Sequence, residues 1–596
     1  MPSYNAPVRD MKFILHEMLD APSLAQYERY AEVDADLYDA ILEESGKFAE
    51  EVLAPLNVVG DTQGCTRHPD GTVTTPDGFK EAFKTMVENG WLGLARDPNY
   101  GGQGMPGTLG IACAEMQSSA NMAFSMYPGL TGGAIKAITI GGSDDQKETW
   151  LPKMISGEWT GTMNLTESHC GTDLGLLKTK AVPQADGSYK ITGQKIFISA
   201  GDHDMADNIV HLVLARIEGA PAGVKGISLF IVPKFKLDAD GNPGEANAVS
   251  CGSIEEKMGI HGNATCVMNY DGSEGYLIGE ENKGLRVMFV MMNEARMGVG
   301  LQGLSQSEVA YQNAVVYAKD RLQGRSLTGP KNESGPADPI IVHPDVRRML
   351  METRAFNEGA RALLYWATMM EDLEKVSTDE AVLEKCDDYL GLLTPVIKGY
   401  LTDMAMKTTV DCQQIFGGHG FIEEWGMSQF VRDTRITLIY EGANGIQALD
   451  LVGRKLARKG GRALMTLSSE IDEFLAEHGE NDQLPEFMEG LKTAKDKLTQ
   501  GTMWLMQNGM QNPDNAGAGS VDYMHMLGLA TFAYMWAKMA LTAQAAIDGG
   551  SNDPFYTNKL ITGRYFVLRM LPMLDAHLAK IKTGAEPVMA LDEAAF

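Results

Sequence analysis

The chain has 596 residues, more than one hydrophobic core usually serves, so several domains are expected. Hydrophobic residues make up 44% of the sequence, which is enough for packed cores and excludes an intrinsically disordered protein. The 79 Asp and Glu residues outnumber 51 Lys and Arg residues, and this acidic balance opposes binding to nucleic acid or anionic lipid unless basic residues cluster locally.

The seven cysteines are scattered along the chain and never spaced as CxxC. Neither a disulfide framework nor a thiolate zinc site is indicated, so no metal is predicted, and a reducing cytoplasm fits best. The opening segment MPSYNAPVRDMKFILHEML lacks a basic stretch followed by a long apolar one. No apolar run reaches the length of about eighteen residues that a membrane span needs, so none is expected.

Residues 1–160 are predicted to form helices that are broken by glycine loops. The clearest helix lies in TPDGFKEAFKTMVENG, where Thr75 is the expected N-cap, Pro76 the first helical residue and Gly90 the residue just past the end. Its apolar residues recur at helical spacing, which places three of them on one face: Phe79, Phe83 and Met86.

The loop GGQGMPG at residues 101–107 formally contains the pattern G-x-G-x-x-G of dinucleotide-binding folds. That pattern has meaning only after a buried strand and at the start of a helix. The preceding RDPNY is a poor strand, and Pro106 with Gly107 makes a weak helix start. A glycine loop between two helices is the better interpretation.

From residue 161 to 282 the hydrophobic period changes to that of a β-domain. SYKITGQKIFIS has the alternation and Thr-Gly turn of a hairpin, and NIVHLVLARI and GISLFIVPKF are typical of buried strands. Long helices follow over residues 283–457, and residues 458–596 form an extra helical module with a Gly- and Asn-rich break, QNGMQNPDNAGAGS. The predicted fold class is therefore mainly α with an inserted β-domain.

Two segments of the β-domain carry groups that suit a ligand. In MNLTESHCGTDLGLLKTKA, the hydroxyls of Thr166, Ser168 and Thr172 and the backbone of Gly171 could donate to a heterocycle or a phosphate, although a plain polar turn explains them equally well. In QKIFISAGDHD, an aromatic and a hydroxyl, Phe197 and Ser199, alternate along a strand and should face the same side.

Glu441 is the candidate general base. It follows the apolar run TLIY and precedes the flexible Gly-Ala-Asn-Gly loop. Burial there would raise the carboxyl pKa above about 4.3 and match it better to a weakly acidic carbon. A helix-capping or surface glutamate explains the same residue equally well, because acidic residues are common at helix starts.

These segments, in this order, resemble the acyl-CoA dehydrogenase family over about residues 35–455. NLTESHCGTD is similar to the family's flavin-contacting T-E-P-x-x-G-S-D, and QKIFISAG to its G-x-K-x-W-I-(S/T)-x-G. The resemblance implies a helical domain, a β-barrel-like domain and a four-helix-bundle domain, followed here by the extra module. It also implies that FAD is held by Met163, Leu165, Thr166, Gly171, Thr172, Phe197, Ser199, Arg321, Gln414 and Gly418.

The resemblance also assigns roles to single residues. Thr166 and Ser199 would contact the flavin, while Arg321, Gln414 and Gly418 would hold the adenine-diphosphate half, partly from a neighbouring subunit. Glu441 matches the family's Y-E-G-T base, and its backbone N–H would polarise the thioester carbonyl. Three residues would contact the acyl-CoA: Thr172, Arg296 and Gly442.

The sequence departs from the family pattern at several positions. Some members carry the base one residue before a substrate-binding arginine, which here is Ala295 before Arg296, so that position cannot act, and Glu294 is one residue off. Ser168-His169 replaces Pro-x, Thr172 replaces Ser, and Ala443 replaces the Thr after E-G. These departures affect details of the site and leave the class unchanged.

The HCGTD variant and the extra C-terminal helices resemble a long bacterial branch of the family. This implies 3-methylmercaptopropionyl-CoA, of dimethylsulfoniopropionate breakdown, as substrate, with short or medium straight-chain acyl-CoA as the alternative. Electron-transfer flavoprotein is the expected electron acceptor, and a homodimer or homotetramer the expected assembly. Some relatives with added helices bind DNA, but residues 460–596 hold ten Lys and Arg against seventeen Asp and Glu, which argues against that role.

Overall fold

The computed structural model describes residues 2–596, which form two compact units. The helical unit comprises residues 2–44, Gly107–Glu115 and Val299–Phe596, and the β-containing unit comprises Ser45–Pro106 and Met116–Gly298. Over residues 2–596, no helix combines the length and apolarity that crossing a bilayer requires.

Helices dominate the chain before the main sheet, as predicted. Polar caps define several of their starts: Ser143 and Gln146 form a reciprocal capping box at one helix, and the Asn121 side chain accepts a hydrogen bond from Phe124 N at another. The helices are α1 (Val8–Lys12), α2 (Ala35–Phe48), α3 (Ala54–Gln63), α4 (Phe79–Glu88), α5 (Gly107–Ala120), α6 (Met122–Gly141) and α7 (Asp144–Ser156).

The start of α4 differs from its prediction. The N-cap is Gly78, in the left-handed conformation with φ of 84°, and the helix begins at Phe79. Thr75 does not cap it, because its backbone N and its Oγ1 both donate to Asp204 Oδ1, at 3.0 and 2.8 Å. The predicted apolar face is confirmed: Phe79, Phe83 and Met86 are all buried.

The glycine loop at residues 101–107 is only partly as predicted. No strand leads directly into it, because Pro98–Tyr100 is a 3₁₀ turn. The expectation of a weak helix start was wrong, because α5 begins at Gly107. Asp372 explains this start: its two carboxylate oxygens accept from Gly107 N at 2.7 Å and from Thr108 N at 2.8 Å, which satisfies backbone donors at a helix N-terminus.

The predicted β-domain is present within the β-containing unit. Five of its strands pair in a closed ring, in the order β11-β5-β4-β6-β7 and back to β11, with β10 and β3 added outside the ring. Val213, Phe230 and Met268 meet in one buried apolar cluster. The strands are β1 (Thr66–Arg67), β2 (Val73–Thr74), β3 (Trp159–Asn164), β4 (Lys180–Pro183), β5 (Tyr189–Ser199), β6 (Asn208–Ile217), β7 (Ser228–Pro233), β8 (Phe235–Leu237), β9 (Pro243–Ala246), β10 (Val249–Ile254) and β11 (Thr265–Ile278).

The hairpin predicted in SYKITGQKIFIS does not form. The segment is one continuous strand, β5, which runs through Thr192 and Gly193 without a turn. Gly193 serves a close approach instead, since a methyl group there would lie 2.5 Å from Thr179 Oγ1 on the neighbouring segment. The buried strands predicted in the next two segments are confirmed as β6 and β7.

Long helices follow the sheet, as predicted. The predicted Gly- and Asn-rich break is only one residue long, Asn512, because the helices on either side extend into it. Asn512 caps the second of these helices by accepting from Asp514 N. The helices are α8 (Gly284–Asp320), α9 (Pro344–Val376), α10 (Glu380–Ile415), α11 (Met427–Arg435), α12 (Asn444–Asp450), α13 (Arg462–His478), α14 (Pro485–Gln511), α15 (Pro513–Asp548), α16 (Pro554–Tyr565), α17 (Met573–Thr583) and α18 (Glu586–Met589).

Candidate active site

The end of β3 and the far part of β5 bring several predicted flavin residues together. The Thr166 carbonyl accepts a hydrogen bond from Ile196 N at 2.9 Å. Gly171 lies beside the Thr166 side chain, since a methyl group on it would be 3.3 Å from Thr166 Cγ2. Met163 is half-buried and Leu165 buried nearby in sequence. The polar segment after β3 is therefore held against β5 rather than projecting as an isolated turn.

Phe197 lies at a bulge in β5. Lys195 pairs with Met268 and Ile198 with Cys266, so two residues of β5 oppose one residue of β11. Phe197 has φ of 59°, a left-handed conformation that costs roughly 1–3 kcal/mol for a bulky residue. Its ring is 60% exposed, whereas the next residue, Ile198, is buried.

Ser199 is half-buried and follows the buried Ile198. The bulge interrupts the alternation of side chains at Phe197, so the expectation that Phe197 and Ser199 face the same side stays a prediction. Gly171 and Thr172 are exposed. An accessible aromatic ring flanked by hydroxyls and a glycine backbone can stack on a planar heterocycle and hydrogen-bond its polar edge.

A buried ion pair, which the sequence analysis missed, supports this segment. Lys195 Nζ lies 2.9 Å from Glu167 Oε1 and donates to the Leu165 carbonyl at 2.9 Å, and both charged side chains are buried. Glu167 also accepts from Lys178 N at 2.7 Å and from Thr179 N at 3.0 Å. Burial alone would raise the pKa of Glu167, but the Lys195 ammonium and these donors lower it to about 2.

The same segment holds three potential metal-ligand atoms, from Glu167, His169 and Cys170, within 4.8 Å of one another. Both carboxylate oxygens of Glu167 already accept hydrogen bonds from Lys195, Lys178 and other donors. This group therefore carries no metal assignment.

Arg296 and Glu294 lie on the part of α8 that belongs to the β-containing unit. Arg296 is 8% exposed, and its Nη1 donates to Asn293 Oδ1 at 3.3 Å. The Glu294 carboxylate lies between two cations, 3.2 Å from Arg96 Nη2 and 3.6 Å from Lys136 Nζ. Both carboxylate oxygens of Glu294 are therefore engaged in ion pairs.

Glu441 lies in the helical unit, on a short loop before α12. Its φ of 57° and that of Gly442, 85°, give two consecutive left-handed residues. The buried Gln447 amide donates to the Glu441 carbonyl at 2.9 Å and to the Gly442 carbonyl at 3.4 Å. The Glu441 side chain is half-buried. A strained acidic residue on an anchored loop is typical of a functional site.

Tyr440 forms part of the apolar run before Glu441. Its hydroxyl donates to the Gln302 amide oxygen. Burial of that hydroxyl and the nearby Glu441 carboxylate raise the pKa of Tyr440 well above its usual value. Tyr440 is therefore neutral at physiological pH and presents no competing negative charge to Glu441.

Asn444 anchors the other end of the loop to α10. Its Oδ1 accepts from the fully buried Lys398 Nζ at 2.7 Å. Its Nδ2 lies 2.7 Å from Asp403 Oδ1, 2.9 Å from Thr402 Oγ1 and 3.1 Å from the Gly399 carbonyl. No local sequence pattern could predict this network, because all the partners of Asn444 lie about forty residues earlier in the chain.

The residues predicted for the adenine-diphosphate half lie at the ends of α8 and α10. Arg321, Gln414 and Gly418 are all exposed. The aromatic rings next to them stack: the centroids of Tyr317 and Phe416 are 4.1 Å apart. The structure thus brings Arg321 and Gln414 to one exposed end of the helical unit.

Four family models match the chain in succession. They describe the acyl-CoA dehydrogenase N-terminal domain (residues 36–158), middle domain (162–273) and C-terminal domain (282–456), and an acetyl-CoA dehydrogenase C-terminal-like domain (467–592). The chain belongs to the acyl-CoA dehydrogenase family. It is an FAD-dependent oxidoreductase that acts on the CH–CH bond of an acyl-CoA, and the exposed ring of Phe197 with its flanking hydroxyls fits a flavin.

Among its relatives, 3-methylmercaptopropionyl-CoA dehydrogenase of Ruegeria pomeroyi is 42% identical, over 98% of this chain and 99% of that protein. The broad-specificity linear acyl-CoA dehydrogenase FadE5 of Mycobacterium tuberculosis is 35% identical, over the full length of both. The crystal structure of Caenorhabditis elegans ACDH-11 in complex with C11-CoA shares the fold, with a TM-score of 0.80 and 19% identity over 99% of this chain and 95% of that one.

Proposed function

We propose that Glu441 is the base of this dehydrogenase and removes the α-proton of the acyl thioester. The observation that carries the assignment is the conformation of Glu441, an acidic residue with φ of 57° on a loop that Gln447 and Asn444 hold from both sides. Strain of this kind persists only where the surroundings impose it. The competing carboxylate, Glu294, is paired with two cations.

Positioning and electrostatics are the contributions of the chain itself. The Glu441 carboxylate receives the α-proton, and its backbone N–H is proposed to donate to the thioester carbonyl oxygen, where negative charge develops. Arg296, Thr172 and Gly442 are proposed to orient the acyl-CoA. FAD, when bound, supplies the hydride acceptor for the β-carbon.

The cofactor is proposed to lie against Met163, Leu165, Thr166, Gly171, Thr172, Phe197 and Ser199. The exposed Arg321, Gln414 and Gly418 are proposed to hold the adenine-diphosphate half of an FAD in a neighbouring copy. This arrangement requires a homodimer or a homotetramer. Electron-transfer flavoprotein is the proposed acceptor of the electrons.

The proposed substrate is 3-methylmercaptopropionyl-CoA. Support comes from the relative of that name, which is 42% identical over nearly the whole chain. A short or medium straight-chain acyl-CoA is the second candidate, since a relative that is 35% identical is named for linear acyl-CoA. The reducing bacterial cytoplasm is the proposed location, where the seven cysteines of the described residues would remain the free thiols that they are in the structure.

Anaerobic titration of the purified yellow protein tests this proposal. The flavin absorbance is followed during additions of 3-methylmercaptopropionyl-CoA, butyryl-CoA and octanoyl-CoA in separate experiments. Preferential bleaching by the sulfur-containing thioester is the expected result. Equal or faster bleaching by a straight chain would replace the substrate but keep the dehydrogenase, and a protein that binds FAD but is bleached by no thioester would overturn the activity.

A further inference from the structure

A chain of polar contacts links the C-terminal module, residues 458–596, to the loop of Glu441. His525 Nε2, on α15, lies 2.9 Å from Asp403 Oδ2, on α10. The other carboxylate oxygen, Asp403 Oδ1, accepts from Asn444 Nδ2 at 2.7 Å. Asn444 is the first residue of α12 and lies three positions after Glu441. One oxygen of Asp403 therefore binds the module, through His525, and the other binds the loop, through Asn444.

The position of His525 is set by close packing of two helices. A methyl group on Gly399 of α10 would lie 2.3 Å from Met524 Sδ, and one on Gly528 of α15 would lie 2.4 Å from Tyr400 Cδ1. These glycines let the two helices approach closely on either side of His525. The Tyr400 ring then meets the His525 ring edge to face, with centroids 5.3 Å apart.

A second histidine of the module lies beside the first but has its own carboxylate. The rings of His525 and His577 have centroids 5.3 Å apart. His577 Nδ1 lies 2.7 Å from Asp522 Oδ1, and Lys580 Nζ lies 3.4 Å from the same oxygen. His577 therefore binds Asp522 and not Asp403. Within this group of side chains, the Asp403 carboxylate contacts His525 of the module and Asn444 of the loop.

We infer that the C-terminal module holds the catalytic base in place, with His525 acting through Asp403 and Asn444 on the loop of Glu441. The inference rests on the proposed role of Glu441. His525 and Asp403 are positioning residues and take no part in the proton transfer. Their contribution is to oppose relaxation of a left-handed residue, and a displacement of about 1 Å at a reacting group lowers the rate by up to about 100-fold.

The isosteric variant Asp403→Asn tests the link with little change in packing. An asparagine side chain has an oxygen at one of these two positions and an NH2 donor at the other, so it cannot accept at both positions, from His525 and from Asn444. We expect the limiting rate of flavin reduction at saturating acyl-CoA to fall about tenfold, with the dissociation constant of the thioester changed less than about twofold. Amide hydrogen exchange, which needs no turnover, should become faster in residues 441–447.

Two substitutions of His525 separate hydrogen bonding from volume. His525→Leu removes the donor and should reproduce the slower reduction and the faster exchange. His525→Gln restores a donor and should recover most of the rate. Thr502→Val is the matched control, because it deletes a buried hydroxyl that lies 2.7 Å from the Tyr523 hydroxyl in the same module and leaves the Asp403 contacts intact. It should lower the melting temperature and leave reduction and exchange unchanged.

The outcomes distinguish this inference from the assignment of the base. Glu441→Gln is measured in parallel. If Glu441→Gln abolishes reduction while Asp403→Asn and His525→Leu keep both the rate and the exchange of residues 441–447, the inference alone is overturned. If Glu441→Gln still reduces the flavin at the rate of the unaltered protein, the proposed base is wrong and the inference fails with it.

Discussion

Several bulky or charged residues of the described chain have a left-handed backbone, the conformation in which glycine is normally found, and two of them are Glu441 and Phe197. Glu441 and Phe197 have φ of 57° and 59°, and each such residue costs roughly 1–3 kcal/mol. Both belong to segments that the sequence motifs single out. In each case a buried polar side chain holds the segment. The Gln447 amide donates to the Glu441 carbonyl, and Lys195, two residues before Phe197, donates to the Leu165 carbonyl. Strain at these positions marks where ligand and reaction are expected.

Replacing the base should separate binding from chemistry. Glu441→Gln keeps the size of the side chain and removes its ability to accept a proton. The purified variant should remain yellow and bind the thioester, but anaerobic flavin reduction should slow by more than about 1000-fold. Stopped-flow absorbance measures both effects. Glu294→Gln is the control and should reduce its flavin nearly as fast as the unaltered enzyme; the reverse pattern would move the base to α8.

The Glu167–Lys195 pair should make stability depend on pH in a defined direction. The folded pKa of Glu167 is about 2, below its ordinary value of 4.5, so its ionised form stabilises the fold above pH 4.5. That contribution disappears as the pH falls from 4.5 toward 2. The melting temperature of Glu167→Gln should therefore lie furthest below that of the unaltered protein at pH 7, and the gap should narrow below pH 4.5. A gap that is the same at every pH would contradict the pairing.

At the scale of elements, long periodic segments could be predicted and their ends could not. The strands β6 and β7 follow from short, continuous apolar runs, which match their almost complete burial. The helices α8 and α9 follow from long segments with apolar residues at three- and four-residue spacing. The errors at α4, α5 and β5 have one feature in common: a residue distant in sequence, Asp204, Asp372 or Thr179, contacts the segment. Lys195 was detectable, since alternation places this lysine on the buried face of β5.

The contribution of Asp372 to stability, as the cap of α5, can be measured. Asp372→Ala removes the acceptor for Gly107 N and Thr108 N and should lower the free energy of unfolding by about 1–2 kcal/mol. Differential scanning calorimetry measures the change. The control is Asp345→Ala, in the first turn of α9, whose exposed side chain pairs with Arg348 and should change stability by less than about 0.5 kcal/mol. Equal effects of the two substitutions would show that the cap contributes no more than an exposed ion pair.

At the scale of the whole molecule, the predicted fold class is confirmed: the chain is mainly α with an inserted β-domain of the acyl-CoA dehydrogenase fold. The division into domains at residues 1–160, 161–282, 283–457 and 458–596 stays a prediction, as does the oligomeric state. The sequence could not predict which residues the C-terminal module contacts. Its acidic composition argued only against DNA, whereas its contacts to Asp403 and Asp10 depend on side chains that meet only in the folded chain.

Lys559 is another connection between the module and the rest of the helical unit. The fully buried ammonium, on α16, lies 2.7 Å from Glu358 Oε2 on α9 and contacts the Asp10 carboxylate on α1. Arg361 Nη1 lies 2.6 Å from Asp10 Oδ2, so one cation remains when the lysine is removed. Burial would raise the pKa of Asp10, but Lys559 and Arg361 together lower it. Three segments distant in sequence thus depend on one shared cluster of charge.

Lys559→Met should test how much this cluster contributes, because methionine fills similar space without the charge. Two buried carboxylates would lose a partner, and the free energy of unfolding should fall by about 3 kcal/mol. Urea denaturation followed by tryptophan fluorescence measures it, and Lys582→Met, at an exposed lysine on α17 that contacts Gln500, should change stability little. A Lys559→Met protein as stable as the unaltered one would mean that desolvation of the ammonium offsets its attraction to both carboxylates. Apolar packing of α15 and other ion pairs, such as that of Arg462 with Asp388, would then keep the module attached.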